Sequence, residues 1–390
     1  MPKNINVGLI GYSFMGKAHS HAYKDMPFFF PEAAGVPVMK AICGRNRANV
    51  KDAANTFGWD EYETNWKDLI ARNDIDMIDI STPGDSHAEI AIAAAEAGKH
   101  VFCEKPLANN LEEARAMAKA VKKARVKSMV AYNYRRVPAV ALARQLIDEG
   151  RIGEIYHWRA VYLQDWIMDP KFPLVWRLEK DKAGSGPHGD LNAHIIDLAR
   201  YLVGDIAEVV GMDETFIKER PLANDIDAAL GASTGKSAKK GKVTVDDATL
   251  FLARFENGAL GSFEATRFAG GRRNGNRFEI NGSKGSIAFN LEKMNELQYY
   301  DRGDKEHIQG YRDILVNEGC HPYLDHWWPP GHIIGWEHTF VHEVFDLMQA
   351  IGGKNNNLHP DFEEGVKDQA VLEAVSTSIE NRSWVKVNDL

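Results

Sequence analysis

Cysteine is scarce. The 390 residues contain three, Cys43, Cys103 and Cys320, widely spaced and with no CxxC pair. Cys43 and Cys103 fall inside apolar stretches that suit strands, so both read as reduced core residues. Long apolar runs are missing too. The run from Val7 to Ile10 is short and broken by glycine, so no signal peptide is expected. Nothing approaches the ~18 apolar residues that cross a bilayer. There is no excess of positive charge: 47 Lys and Arg face 55 Asp and Glu, for a net charge of −8 and a pI near 6. That argues against a general binder of nucleic acid or of anionic membranes. The expectation is a cytoplasmic protein of ordinary globular composition, long enough for about two or three domains.

What is present is organised around Ala97 to Leu107. Val101, Phe102 and Cys103 form a short apolar run that suits a buried parallel strand, and Gly98 ends the helix before it. Glu104, Lys105 and Pro106 follow at the strand's carboxyl end. Ligands of open α/β sheets bind just beyond that end, so a lysine there can meet a substrate. The proline fixes the local backbone and removes a donor. The competing reading is a surface lysine in a tight turn.

The first third of the chain favours the functional reading. Ile5 to Ile10 is a short strand, followed by Gly11, Tyr12, Ser13, Phe14, Met15 and Gly16. This is G-x-S-x-x-G, a dinucleotide fingerprint with serine at the second glycine. The first glycine makes the turn, the last lets helix and strand pack closely, and helix amides after it face a pyrophosphate. A second strand, Val38 to Cys43, runs into Gly44 and Arg45, with no acid for the ribose hydroxyls. Arg45 can pair with a 2′-phosphate or stack on adenine, which leans toward NADP being accepted without excluding NAD; otherwise it is a solvated arginine at a helix start. Asp76 to Ile80 is a further strand, ending at Ser81, Thr82 and Pro83. Ser86 and Glu89 have the spacing of a capping box for an alanine-rich helix ending near Ala97. A helix over about Leu111 to Ala124 leads to a strand at Met129 to Ala131. Strands alternating with helices in this way predict a parallel, doubly wound sheet.

Taken together these residues resemble the glucose–fructose oxidoreductase, inositol dehydrogenase and rhizopine catabolism family, Gfo/Idh/MocA. The most specific stretch runs from Thr82 and Pro83 through His87 to Glu104, Lys105, Pro106 and Leu107. Phe14 to Ser20, Asn133 to Arg136, Tyr162 to Trp166, and Trp176 with Arg177 add to the likeness, which is strongest to the family's sugar 3-dehydrogenases. The resemblance covers essentially the whole chain. It implies an N-terminal Rossmann domain, placed at 1–131, and a C-terminal α/β domain with a large open, mainly antiparallel sheet, placed at 132–390. It implies NAD or NADP as cofactor and a Lys105–Pro106 peptide open to the cis form. The cofactor-facing set it implies is Gly11, Ser13, Phe14, Met15, Gly16, Arg45, Thr82, Pro83, His87, Glu104, Lys105 and Asn133.

Beyond the first domain, Tyr134 and Arg135 are expected to face the cleft, whereas Arg136 reads better as a surface ion pair. Pro138 opens a helix. Ile155 to Asp165 alternates as a strand and closes on Gln164, Asp165 and Trp166. Sugars have apolar faces and polar rims, so aromatic plates beside amides and carboxylates suit them. Trp166, Trp176 and Arg177 join the substrate set on this ground and on the resemblance; each Trp could equally be core. After Gly184 and Gly186, Asp190 and His194 lie four apart, on one face if the segment is helical. The family pattern D-x-G-x-H-x-x-D has Asn192 where glycine is expected, which alters packing but keeps the two chemical residues in register. No third His or Cys has suitable spacing, so no metal is expected.

Strands are expected at Thr249 to Phe255, Ala259 to Phe268, Arg277 to Ile280, Ser286 to Phe289 and Leu297 to Tyr300. They would build the open sheet, whose outer face would join subunits into a homodimer or homotetramer. The polar stretch from Asp225 to Lys242 reads as an exposed loop. His321 to His338 is rich in aromatics and suits the far wall of a sugar pocket, with His338 its best candidate, or else a hydrophobic subunit contact. Helices over about Trp336 to Ile351 and Phe362 to Ile379 close the fold. The expected chemistry is hydride transfer from a hydroxyl-bearing carbon of a sugar, anhydrosugar, glycoside or polyol, such as carbon 3 of a glucose-like ring. Lys105, Asp190 and His194 form the catalytic set, and the residues leave open whether Lys105 or His194 takes the proton. The alternatives are a glycosidase that keeps its NAD and works through transient oxidation, or a non-catalytic sugar sensor.

Overall fold

A computed structural model of the chain describes residues 2–222, 239–355 and 358–390. It separates into two compact units. The first is Met1–Arg136 together with Tyr323–Lys367, and the second is Val137–Pro322 with Asp368–Leu390. A division at residue 131 would have left 323–367 in the second unit. That segment returns to the first because its helix His338–Ile351 buries Phe340, Val341, Val344 and Leu347 in the same core as Ile5, Val7 and Leu9 of the first strand.

The first unit holds six parallel strands: β1 (Lys3–Ile10), β2 (Gly35–Cys43), β3 (Glu61–Glu63), β4 (Met77–Ile80), β5 (His100–Cys103) and β6 (Ser128–Val130). Their order is β3-β2-β1-β4-β5-β6, the doubly wound arrangement that the alternation of elements predicts. The order reverses between β1 and β4, where such sheets bind their ligands. Helices α1 (Phe14–Phe29), α2 (Arg47–Phe57), α3 (Trp66–Ala71), α4 (His87–Glu96) and α5 (Leu111–Ala124) link the strands. Strand β3 is short, with no buried residue, and carries no apolar signal that would announce it. The expected Ser86 cap does not form. Gly84–Ser86 is a separate 3₁₀ turn, and the Ser86 hydroxyl donates to Thr82 Oγ1 and to the Pro83 carbonyl. A true cap stands at Asn110, whose side chain accepts the Glu113 amide at 2.9 Å.

Arg136 is buried, not at the surface as its sequence setting suggests. It forms its ion pairs there: it is 3% exposed and donates to Asp346 at 2.9 Å and to the His359 carbonyl at 2.7 Å. Burial opposes its charge, and Asp346 and Glu343 more than offset that, so its pKa is raised.

The second unit is built on nine strands in the order β16-β15-β14-β13-β7-β12-β11-β8-β17. They are β7 (Ile155–Leu163), β8 (Ile206–Glu214), β11 (Ala248–Phe255), β12 (Leu260–Thr266), β13 (Gly275–Gly282), β14 (Gly285–Asn290), β15 (Glu296–Asp301), β16 (Arg312–Leu315) and β17 (Val385–Lys386). Among the described strands of this sheet only β7 and β12 pair in parallel. One face carries helices α6 (Pro138–Asp148), with Pro138 at its start, and α8 (Ala193–Leu202). A short helix, α7 (Lys180–Ala183), precedes α8. The other face leaves Met212, Leu250 and Leu252 exposed. Most of the polar stretch expected as a loop, its part 225–238, lies outside the described residues. Its end does not stay loop: β10 (Lys240–Lys242) pairs antiparallel with β9 (Glu219–Pro221).

Candidate active site

The first unit contributes a glycine turn at the switch point. Gly11 has φ +106°, and a Cβ there would lie 2.6 Å from the Ser81 carbonyl oxygen. A Cβ on Gly16 would lie 2.2 Å from the Gly11 carbonyl oxygen. Only glycine closes this turn tightly enough for α1 to start against β1. Ser13 precedes the helix in extended conformation and makes no side-chain cap bond, which leaves first-turn amides facing outward for an anion. Phe14 is exposed and stacks on Trp336 at 5.4 Å, and Met15 packs on the core. These features fit a dinucleotide pyrophosphate. At the end of β2, Arg45 is exposed, and Asn46 caps α2.

Beneath the turn lies a charged cluster that the sequence reading did not assemble. His19, on α1, is fully buried. Its Nδ1 is 2.9 Å from Asp79 Oδ2, on β4, and its Nε2 is 3.1 Å from Glu104 Oε1, just past β5. Tyr23 donates to Asp79 at 2.7 Å. Burial alone would push the imidazole toward neutrality. The two carboxylates outweigh that and hold it charged, with its pKa raised to about 10. Glu104 Oε2 in turn accepts the Lys105 amide at 3.1 Å. His19 is thus linked by two hydrogen bonds, through the Glu104 carboxylate, to the backbone amide of Lys105. Lys105–Pro106 is cis, as the resemblance implies, and Lys105 is half-buried. His87 joins the neighbouring turns: Nε2 lies 2.9 Å from the Thr82 carbonyl and Nδ1 3.1 Å from the Pro106 carbonyl. Pro83 is exposed at the first of these turns.

Asn133, Tyr134 and Arg135 sit together in a buried 3₁₀ turn after β6. Asn133 donates to Thr339 Oγ1 at 2.8 Å, which ties this turn to the helix His338–Ile351. His338 is half-buried in the first unit. It accepts the Gly335 amide at 3.1 Å and meets the Trp327 ring edge-on. The aromatic segment is therefore anchored on the first unit's own core: Trp327 packs against Phe29 and donates to His342 Nε2 at 2.8 Å. Burial holds His342 neutral, with its pKa lowered to about 3, so it can accept that bond.

The second unit brings together Tyr162, Gln164, Trp166, Asp190 and His194. Gly184 and Gly186 precede the segment that carries the last two. A Cβ on Gly186 would lie 2.0 Å from the Asp246 carbonyl oxygen. His188–Asn192 then forms a single π turn that runs into α8, so Asp190 and His194 do not share a plain α-helical face as their spacing suggests. Such turns are rare and gather at functional sites. Asn192 is fully buried, with Nδ2 3.2 Å from His188 Nδ1. The His194 ring lies 5.8 Å from that of Tyr162. Trp166 Nε1 donates to Gln164 Oε1 at 2.8 Å. Gln164 Nε2 and the Tyr162 hydroxyl both donate to Asn274 Oδ1, at 3.0 and 2.7 Å. Asn274 is a hub that the sequence reading missed. Asp165 meets the 271–273 loop, where it accepts from Arg273 and from the Gly271 amide. Arg177 stacks on Trp176 with 4.3 Å from guanidinium carbon to ring centre, both half-buried. Among the described residues no cluster of His, Cys, Asp and Glu could hold a metal ion.

Two family models match. Residues 5–132 fit an oxidoreductase family with an NAD-binding Rossmann fold, and 140–288 fit the GFO/IDH/MocA C-terminal domain. The chain belongs to the Gfo/Idh/MocA oxidoreductase family. It is 47% identical to a levoglucosan dehydrogenase of Pseudarthrobacter phenanthrenivorans over 386 residues, which cover 99% of this chain and 98% of that one. An oxidoreductase domain protein from Kribbella flavida superposes with TM-score 0.93 at 53% identity over 99% of both chains. A levoglucosan dehydrogenase in complex with NADH and levoglucosan superposes with TM-score 0.92 at 46% identity, over 98% of this chain and 99% of that one. The Rossmann domain, the mainly antiparallel second sheet and the oxidoreductase class are thus those that the sequence resemblance implied.

Proposed function

We propose that this protein is an NAD-dependent dehydrogenase that oxidises a ring hydroxyl of a sugar or anhydrosugar, with levoglucosan the first candidate and carbon 3 the reacting position. The observation that carries the reading is the near full-length likeness to a levoglucosan dehydrogenase, 47% over 386 residues. The glycine turn and the Lys105 and Asp190–His194 segments supply chemistry consistent with it. Bound nicotinamide supplies the hydride acceptor. Gly11, Ser13, Phe14, Met15 and Gly16 would hold the pyrophosphate, and Thr82, Pro83, His87, Glu104 and Asn133 would shape the rest of the cofactor surface. Lys105 donates a hydrogen bond to the oxygen of the reacting hydroxyl. His194 takes its proton as general base, and Asp190 orients the neighbouring hydroxyl. Tyr134, Arg135, Gln164, Asp165, Trp166, Trp176, Arg177 and His338 complete the substrate set, with Trp166 as the apolar plate.

The first unit is the cofactor-binding domain, and the second binds substrate and builds a homo-oligomer through its outer sheet face. Among the described residues no helix is long and apolar enough to cross a membrane. The buried free thiols of Cys43 and Cys103 suit a reducing, cytoplasmic setting. The test is absorbance at 340 nm with NAD or NADP and a panel of levoglucosan, glucose, methyl glucosides and inositols. A rise with NAD and levoglucosan is expected. Tight cofactor binding with no rise for any sugar would overturn the reading in favour of a retained-NAD glycosidase or a sensor.

A further inference from the structure

Arg267 follows β12 and is 1% exposed. Its Nη2 donates to Asp190 Oδ2 at 2.5 Å. Its guanidinium carbon lies 5.1 Å from the centre of the Trp166 ring. Nε and Nη1 find no acceptor among the described residues. Leaving donors of a buried cation unanswered is costly, and an apolar side chain of similar size would pack here at less cost. What distinguishes the position is that one planar group meets a carboxylate and an aromatic face together, which a lysine or a methionine cannot do.

We propose that Arg267 is a positioning residue for the sugar: it fixes the Asp190 carboxylate and the Trp166 plate relative to each other before substrate arrives. This rests on the reading of Asp190 and Trp166 as substrate residues. The rest of the Trp166 environment supports it. Gln164 accepts from the indole nitrogen, and Phe172 meets the ring edge-on at 5.3 Å. A second buried arginine, Arg220, holds the following loop through the Ile167 and Asp169 carbonyls, at 2.6 and 2.9 Å. The plate is therefore gripped on nitrogen, edge and face. A site ordered in advance loses less freedom when a ligand binds, so removal of the grip shows first in KM.

The experiment measures NADH affinity by fluorescence, thermal unfolding, and kcat and KM for levoglucosan in the full-length protein, for Arg267→Met, Arg267→Lys, Asp190→Asn and the Met/Asn double variant. Arg267→Met is expected to raise KM at least about tenfold while NADH affinity stays within about twofold, because the cofactor turn lies in the other unit. Arg267→Lys keeps the charge but loses the flat stack, and recovers part of the loss. The double variant is expected to lose less than the sum of the two single losses, because both single changes break the same Arg267–Asp190 contact. It also removes both charges, so it and Arg267→Lys carry the test if Arg267→Met fails to fold. Unchanged KM in Arg267→Met and Arg267→Lys, or additive losses in the double variant, would overturn the inference. Absence of sugar oxidation by the unaltered protein would instead sink the functional reading, and this inference with it.

Discussion

Each unit buries a cation beside the residues assigned to chemistry, and the two are treated differently. His19 in the first unit has both ring nitrogens answered by carboxylates, Asp79 on one side and Glu104 on the other, and lies flat on Phe102 at 4.9 Å. Arg267 in the second unit has one nitrogen answered by Asp190, a ring on its face, and two nitrogens that meet nothing among the described residues. A closed network rigidifies, whereas a half-closed one carries an energetic cost that a purely structural position would shed. His19 therefore reads as part of the frame that holds the glycine turn to Lys105. Arg267 reads as support for the Asp190 and Trp166 surface proposed to receive the sugar. The frame should respond to damage in stability, and the prepared surface in KM.

The most severe break of this contrast is at the proton-handling residues. Lys105→Ala and His194→Ala should each lower kcat by roughly 10²–10⁴-fold, the range for a positioned acid or base, while NADH affinity is kept. Single-turnover rates with levoglucosan together with NADH fluorescence titration would show this. Near-normal rates in both would remove the proposed mechanism from either unit.

His19→Leu tests the frame itself. It leaves Asp79 and Glu104 buried with no cation between them, and loss of one partner of a buried pair costs about 3–5 kcal/mol. A lower melting temperature is expected, with an unchanged sugar KM in whatever fraction stays folded. A pH series adds a second constraint. The folded pKa of His19 is about 10 against 6.5 for the free side chain. Its contribution is complete below pH 6.5, declines above it, and is gone as pH passes 10. Tyr23, also raised by burial and by Asp79, weakens the fold only above its ordinary pKa of 10.0. Between pH 6.5 and 10, then, the melting temperatures of the unaltered protein and His19→Leu should converge. A constant gap would assign the stabilisation to packing on Phe102 instead.

What could be read from the sequence divides along the same line. The glycine turn, the alternation of strands and helices, and the cluster Glu104, Lys105, Pro106 are local patterns, so the first sheet and its ligand-binding end were legible. The buried cations were not. His19 meets Asp79 and Glu104 across 60 and 85 residues, and Arg267 meets Asp190 across 77. Arg136 was misplaced at the surface for this reason: its carboxylate partner Asp346 lies 210 residues away. The π turn at His188–Asn192 escaped because spacing alone assumes an α-helix. Strand β3 escaped because three half-polar residues carry no period. The resemblance named Asp190 and His194; only the fold showed that Asn274 and Arg267 hold the residues beside them.

A smaller effect is expected at the exposed sheet face proposed above to join subunits. Leu250→Glu with Leu252→Glu places charge on the exposed sheet face and should shift the protein to a smaller species in light scattering, with NADH affinity kept. An unchanged mass would move the subunit contact to another surface.

The smallest expected change concerns Arg45, and it sharpens the contrast from the cofactor end. Arg45 is exposed, unlike His19 and Arg267, and no acid at the end of β2 opposes a 2′-phosphate. An exposed charge pair contributes only about 0.2–1 kcal/mol, so Arg45→Ala should weaken NADP binding by no more than about fivefold and leave NAD unaffected. Fluorescence titration with each reduced cofactor decides it. If NAD weakens as much as NADP, Arg45 touches the adenine or ribose that both share, and its side chain acts by stacking. If neither weakens, it is solvated, and the choice between cofactors is made elsewhere along the glycine turn.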